Sequence, residues 1–138
     1  MGIDRIHDLL IRHESVQLKP YYDSVGKLTI GIGRNLTDVG ISLETAFQML
    51  DEDLRQVEAD LSTFPWFLDM DPVRQDAMRD FRFNLGAGGM RTFKNTLAEL
   101  EAKHYDAAAD RLLASKWARQ VKGRAVTLAE MVRHGRDT

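Results

Sequence analysis

The chain has no cysteine, only three prolines, and no apolar run long enough to cross a bilayer. Each absence removes a class of protein. Without cysteine there is no disulfide framework and no thiolate metal site, and folding in a reducing cytoplasm is allowed. A spanning helix needs about 20 consecutive apolar residues, so stable membrane insertion is not expected. The opening segment, MGIDRIHDLLIRHES, breaks its apolar residues with Asp4, Arg5, His7 and Asp8, and reads as neither signal peptide nor anchor. A surplus of one charge is missing too: 19 basic residues face 21 acidic ones, for a net charge of −2. That balance gives no long-range pull on a polyanion, and no nucleic-acid reader motif is present. Any attraction must be local, and the basic residues Lys116, Arg119, Lys122, Arg124, Arg133 and Arg136 are its best source. The four histidines, His7, His13, His104 and His134, share no metal-ligand spacing. The Gly-x-Ser-x-Gly motif of a serine hydrolase is absent. Gly86-Ala-Gly-Gly follows a helical pattern instead of a strand, which excludes a phosphate loop. Neither metal nor cofactor is expected.

What is present suits one domain of 138 residues with a real core, which can fold as two lobes. Ile3, Ile6, Leu9, Leu10 and His13 recur at helical spacing over residues 3–13. Residues 17–35 then favour strands, with Gly26 in a turn, predicting two or three short antiparallel strands; Pro20 places the first at an edge. From Ser42, a plausible N-cap, the stripe Ala46, Phe47, Met49, Leu50, Leu54, Val57 and Leu61 predicts one long helix. Asp71 and Pro72 form a clear helix start, and that helix is expected to stop at Gly86 before a short loop, Ala87-Gly-Gly-Met. Thr92 and Asp106 are expected to cap two further helices, through about 103 and 115, and a last helix spans roughly Val121 to His134 before Gly135. Segregated strands and helices predict an α+β class. The expected division is a sheet lobe at 14–42, a connecting helix at 43–62, and a helical lobe from 1–13 and 63–138. A groove between two such lobes would suit an extended polymer.

Glu14 closes the first helix, Asp23 follows nine residues on, and Thr29 six residues after that, leading into Ile-Gly-Ile-Gly33. Singly, each has a plain explanation: a solvated helix-end glutamate, a turn aspartate, a β-branched strand residue. Two carboxyls on separate elements are also what glycosidic hydrolysis needs, one to protonate the leaving oxygen and one to manage water. A helix C-terminus disfavours a charged carboxylate, a setting suited to a general acid.

The joint pattern closely resembles the lysozymes of T-even phages, glycoside hydrolase family twenty-four. The likeness extends over residues 3–135. It includes Val73-Arg-Gln-Asp-Ala, Phe83-Asn-Leu-Gly86, Phe93 with Leu97, and Ser115-Lys-Trp117-Ala-Arg-Gln120-Val-Lys-Gly-Arg124-Ala. The resemblance implies a two-lobed lysozyme fold and hydrolysis of the β-1,4 bond between N-acetylmuramic acid and N-acetylglucosamine in bacterial peptidoglycan. By position, Glu14 becomes the general acid, and Asp23 and Thr29 hold the attacking water. Tyr21, Asn35, Phe93 and Arg124 are expected to line the groove. The arginine at the place of Arg124 approaches the catalytic glutamate in that family, with Trp117 and Gln120 beside it; core packing for Trp117 and a surface charge for Arg124 are the plain alternatives. Three departures stand out. Arg34 follows Gly33 where the best-known member has histidine, the 78–82 helix is charge-rich (Met-Arg-Asp-Phe-Arg), and the region between the lobes is short.

The implied protein is a monomer acting on the wall. It would reach it either from the host cytoplasm after membrane permeabilisation, or as a module of a virion-associated lytic protein. A lytic transglycosylase would need a single glutamate, so Asp23 and Thr29 argue against it. An inactive peptidoglycan-binding module and a generic helical interaction domain are the readings from other classes.

Overall fold

The computed structural model describes residues 2–135, with side chains from residue 4 onward. In chain order the elements are α1 (Gly2–Glu14), β1 (Gln17–Tyr22), β2 (Leu28–Gly31), β3 (Arg34–Asn35), α2 (Leu43–Leu61), α3 (Pro65–Leu68), α4 (Pro72–Arg91), α5 (Lys94–Glu101), α6 (Tyr105–Leu113), α7 (Lys116–Val121) and α8 (Gly123–His134). This is an α+β protein with a small sheet and a helical majority. The chain forms two compact units, residues up to 49 and residues from 50 onward. The division falls inside α2, and α1 groups with the sheet unit. The end of α1 meets the β2–β3 turn, where Glu14 lies against Gly33.

In the first unit, the strands run antiparallel in the order β1-β2-β3. Pro20 has no N–H to give to a ladder. It sits in the edge strand β1, within a register irregularity between Gln17 and Tyr21. Ser42 caps α2 by accepting the Thr45 N–H at 3.0 Å. The apolar stripe of α2 is buried only at its far end, at Val57 and Leu61, while Phe47 and Met49 are exposed.

The second unit holds a helical core in which Leu61, Phe67, Met78, Phe81, Met90, Leu100, Leu112 and Val132 are fully buried. Asp71 accepts the Arg74 N–H at 3.0 Å, with Pro72 at the first helical position. Arg74 then closes the far end of α8. Its Nε donates to the Val132 carbonyl (2.5 Å), its Nη2 to the Arg133 carbonyl (2.9 Å), and its guanidinium stacks 3.8 Å from the Tyr105 ring centroid. A cation on the last carbonyls of a helix satisfies groups that have no helical donor and opposes the helix dipole. Gly135 completes this end in left-handed geometry.

Three expectations are corrected here. The helix does stop at Gly86, which leaves the helical path at φ 78°, ψ 168°, but the loop expected after it is helical instead, through Arg91. Thr92 caps the end of α4 instead of the start of α5, its hydroxyl donating to the Gly89 carbonyl at 2.6 Å. The last helix, α8, runs close to where it was expected, and a short helix that was not expected, α7, precedes it, the two parted by Lys122 at φ 54°, ψ −114°. Asp106 lies in the first turn of α6, whose N-cap is His104.

The charge-rich run in α4 turns out to be a tie to other helices. Arg79 grips Glu58 with two hydrogen bonds (2.7 and 3.0 Å) and also reaches Asp76 at 2.8 Å. Asp60 accepts from Arg82 at 2.5 Å and from Arg91 at 2.6 Å, with both Asp60 and Arg82 largely shielded. The Arg91 hydrogen bond holds the Asp60 carboxyl below its ordinary range, against a rise from burial and with help from Arg82. A carboxyl depressed in the folded state contributes its stability above the unfolded value, about pH 4, and loses it as pH falls through the folded one. Asp60→Asn is therefore expected to cost about 2 kcal/mol at neutral pH and to flatten the acid dependence below about pH 4. Urea titrations from pH 3 to pH 7 measure both. Lys122 occupies backbone space that suits glycine, so Lys122→Gly is expected to raise stability by about 1 kcal/mol in the same assay.

Candidate active site

Glu14 is the last residue of α1 because Ser15 turns the chain. Ser15 stands at φ 62°, and its N–H returns to the Ile11 carbonyl at 2.8 Å, a left-handed cap. The Glu14 side chain lies against the backbone of Gly33. A Cβ placed there would stand 2.8 Å from Oε2 and 2.9 Å from the carboxyl carbon. Gly33 is also at φ +72°, so its missing side chain serves both the turn and the room for the carboxylate.

Asp23 and Thr29 hang on one hairpin and are fixed by the same residue. The Lys27 N–H donates to Asp23 Oδ1 at 2.8 Å, and the Lys27 carbonyl accepts from Thr29 Oγ1 at 2.9 Å and from the Asp23 N–H at 2.9 Å. Asp23 Oδ1 also accepts from the Val25 N–H at 3.0 Å. Asp23 is thus a turn aspartate, as the plain reading holds, but the turn occupies a single carboxylate oxygen. Thr29, buried in the central strand, donates its hydroxyl hydrogen to the Lys27 carbonyl, which leaves its oxygen only the acceptor role.

The register places Thr29 opposite Tyr21 on one side and Asn35 on the other. Residues directly opposed share a face of a sheet, so these three form one row. Asn35 holds the following loop, donating to Asp38 Oδ2 (3.0 Å) and accepting the Asp38 N–H (2.9 Å), and Asp38 pairs in turn with Lys27 Nζ at 3.2 Å. Arg34 donates to the Gly40 carbonyl at 3.4 Å.

Phe93 and Arg124 belong to the second unit. Phe93 is half-buried, edge-to-face with Phe81 at 5.0 Å and 6.5 Å from Trp117. Trp117 is buried and donates Nε1–H to Asn84 Oδ1 at 2.8 Å. Arg124 pairs with Asp80 at 2.7 Å. In the basic set, Arg133 pairs with Asp110 (2.7 Å) and Asp106 (3.4 Å), and Arg136 lies outside the described residues. Among the described residues, no three histidine or acidic side chains gather as a metal site. Sequence reasoning missed Ser15 and Lys27. Both act through the backbone, and residue type carries little trace of that.

Gly33→Ala is expected to lower stability by about 1–2 kcal/mol through its positive φ and to displace the Glu14 carboxylate. Thermal unfolding measures the first effect, and the Glu14 side-chain carboxyl NMR shift the second.

The sequence has known relatives. The family model described as phage lysozyme matches residues 11–136. The chain is 26% identical to the pre-baseplate central spike protein Gp5 of Enterobacteria phage T4, over 93% of this chain and 27% of that protein, so it spans about a quarter of the spike protein's length. It is 32% identical to the endolysin of Salmonella phage P22, over 81% of this chain and 78% of the endolysin. It is 23% identical to the probable T4-type lysozyme 1 of Dictyostelium discoideum, over 96% of each. With the family model matched across all three strands and nearly every helix, the chain belongs to the phage lysozyme family.

Proposed function

We propose that this chain is a muramidase that hydrolyses the β-1,4 bond between N-acetylmuramic acid and N-acetylglucosamine in bacterial peptidoglycan. Membership of the phage lysozyme family supports the coarse part, a cell-wall glycoside hydrolase. The finer part rests on one observation: Lys27 holds Asp23 and Thr29 as two acceptors on one hairpin. A water between Asp23 Oδ2 and Thr29 Oγ1 hydrogen-bonds to both, and as its lone pair attacks the anomeric carbon one of its protons passes to the Asp23 carboxylate. Glu14, on a different element, protonates the leaving glycosidic oxygen. An attack by water on the face opposite the leaving group inverts the anomeric centre, the pathway in which the two carboxyls stand about 6.5–9.5 Å apart. Tyr21, Asn35, Phe93 and Arg124 line the glycan path in this reading.

The relatives support a phage-associated setting. A phage endolysin and a phage spike protein fit two routes to the wall, a free enzyme released through a membrane lesion or a module of a larger lytic particle. No helix among the described residues is long and apolar enough to cross a membrane.

Glu14→Gln is expected to lower turnover of purified peptidoglycan by about 1,000-fold with the fold intact by circular dichroism. Thr29→Ser should retain most activity and Thr29→Val should lose it, because serine keeps the accepting oxygen and valine does not. Wild-type activity in Glu14→Gln removes Glu14 as the acid. Equal activity in the two Thr29 variants removes Thr29 from water positioning.

A further inference from the structure

We propose that Thr37 is a positioning residue for the hydrolysis: its hydroxyl fixes the peptide group whose carbonyl holds Thr29 as an acceptor. The role rests on the muramidase reading; the hydrogen bonds that carry it do not. Thr37 lies in the loop just beyond β3. Its Oγ1 accepts the Leu28 N–H at 2.8 Å. The Leu28 carbonyl still receives a backbone donor, the Leu36 N–H at 2.7 Å. A side-chain oxygen thus holds a backbone N–H of β2 where the paired strand β3 has ended.

The Leu28 N–H and the Lys27 carbonyl are the two ends of one peptide group, which is planar and moves as a unit. That carbonyl accepts the Thr29 hydroxyl at 2.9 Å and the Asp23 N–H at 2.9 Å. A tilt of the plane would disturb both contacts, and with them the two groups that hold the attacking water. Thr37 grips the plane from its opposite end. The grip also has an electronic consequence. Hydrogen bonds in a chain polarise one another, so an amide whose N–H donates has a carbonyl that accepts better. A firmer hold on the Thr29 hydrogen keeps the Thr29 oxygen free to accept from water.

The same loop ties down the Lys27 side chain. Asp38 Oδ2 stands 3.2 Å from Lys27 Nζ and accepts from Asn35 Nδ2 at 3.0 Å. The two side chains of that ion pair keep 40% and 52% of their surface, and so exposed a pair contributes little. The Thr37 bond, made on the peptide group itself, is the stronger lever. Thr37 acts on the oxygen that holds the water and not on the sugar, so its effect falls on kcat and spares KM.

The test compares Thr37→Val, close in shape but without the hydroxyl, with Thr37→Ser, which keeps it. In Thr37→Val, kcat on purified peptidoglycan is expected to fall about fivefold with KM unchanged. The NMR shifts of the Leu28 amide and the Lys27 carbonyl carbon should move with it. Thr37→Ser should restore kcat and both shifts, an outcome that a loss of general stability would not give. Wild-type kcat in Thr37→Val overturns the proposal and leaves the muramidase reading standing. So does a loss of kcat that Thr37→Ser shares, or one that leaves the Lys27 carbonyl shift in place. No turnover by the wild-type chain removes that reading and this role together.

Discussion

The peptide groups of Lys27 carry the candidate site. Its N–H is used by the Asp23 carboxylate and its carbonyl by the Thr29 hydroxyl, while its ammonium reaches Asp38, which Asn35 also binds. Moving Lys27 would shift four side chains together. The consequence for chemistry is directional. Thr29 could have donated or accepted toward a ligand, and the Lys27 carbonyl removes the first option. Asp23 could have presented two oxygens, and the turn takes one of them. A short hairpin has thereby turned two versatile groups into two fixed acceptors, as the delivery of a water molecule requires.

Glu14 is fixed by a different device. Ser15 ends α1 one residue beyond it, and Gly33 supplies a surface without a side chain for the carboxylate to lie on. Both rest on backbone at positive φ, where a serine is under mild strain and a glycine is not. In the second unit, polar pairs settle the helix ends. Arg74 closes α8, and Asp60 and Glu58 hold arginines of α4. Burial of the large apolar residues supplies most of the cohesion there, and the ion pairs fix which turn of one helix faces which turn of another.

How far the sequence discloses this depends on the range of each interaction. Ser42 and the Asp71-Pro72 start were readable because a cap and its N–H are three residues apart. The spacing of Glu14, Asp23 and Thr29 was visible because its members lie on consecutive elements. Thr92 was misread because a threonine at a helix boundary can accept from the helix ahead or donate to the one behind, and residue type does not choose. The loop expected after Gly86 was misread because a glycine that stops one helix can lead into a loop or into a new helix; here the chain turns back into a helix within one residue. The partners that Arg79, Arg82 and Arg124 find on other helices are 21 to 44 residues away in sequence, and no local signal names them. The break at Lys122 was hidden by its type, since the neighbouring glycine at 123 is the one a reader would select.

The most direct test of the account is the fate of water. Purified peptidoglycan digested in oxygen-18 water, with the muropeptides analysed by mass spectrometry, reports whether a solvent oxygen enters the product and where. The account predicts one label per cleavage, at the new reducing end of N-acetylmuramic acid. Unlabelled anhydro sugars would contradict it, since Asp23 and Thr29 would then hold no attacking water.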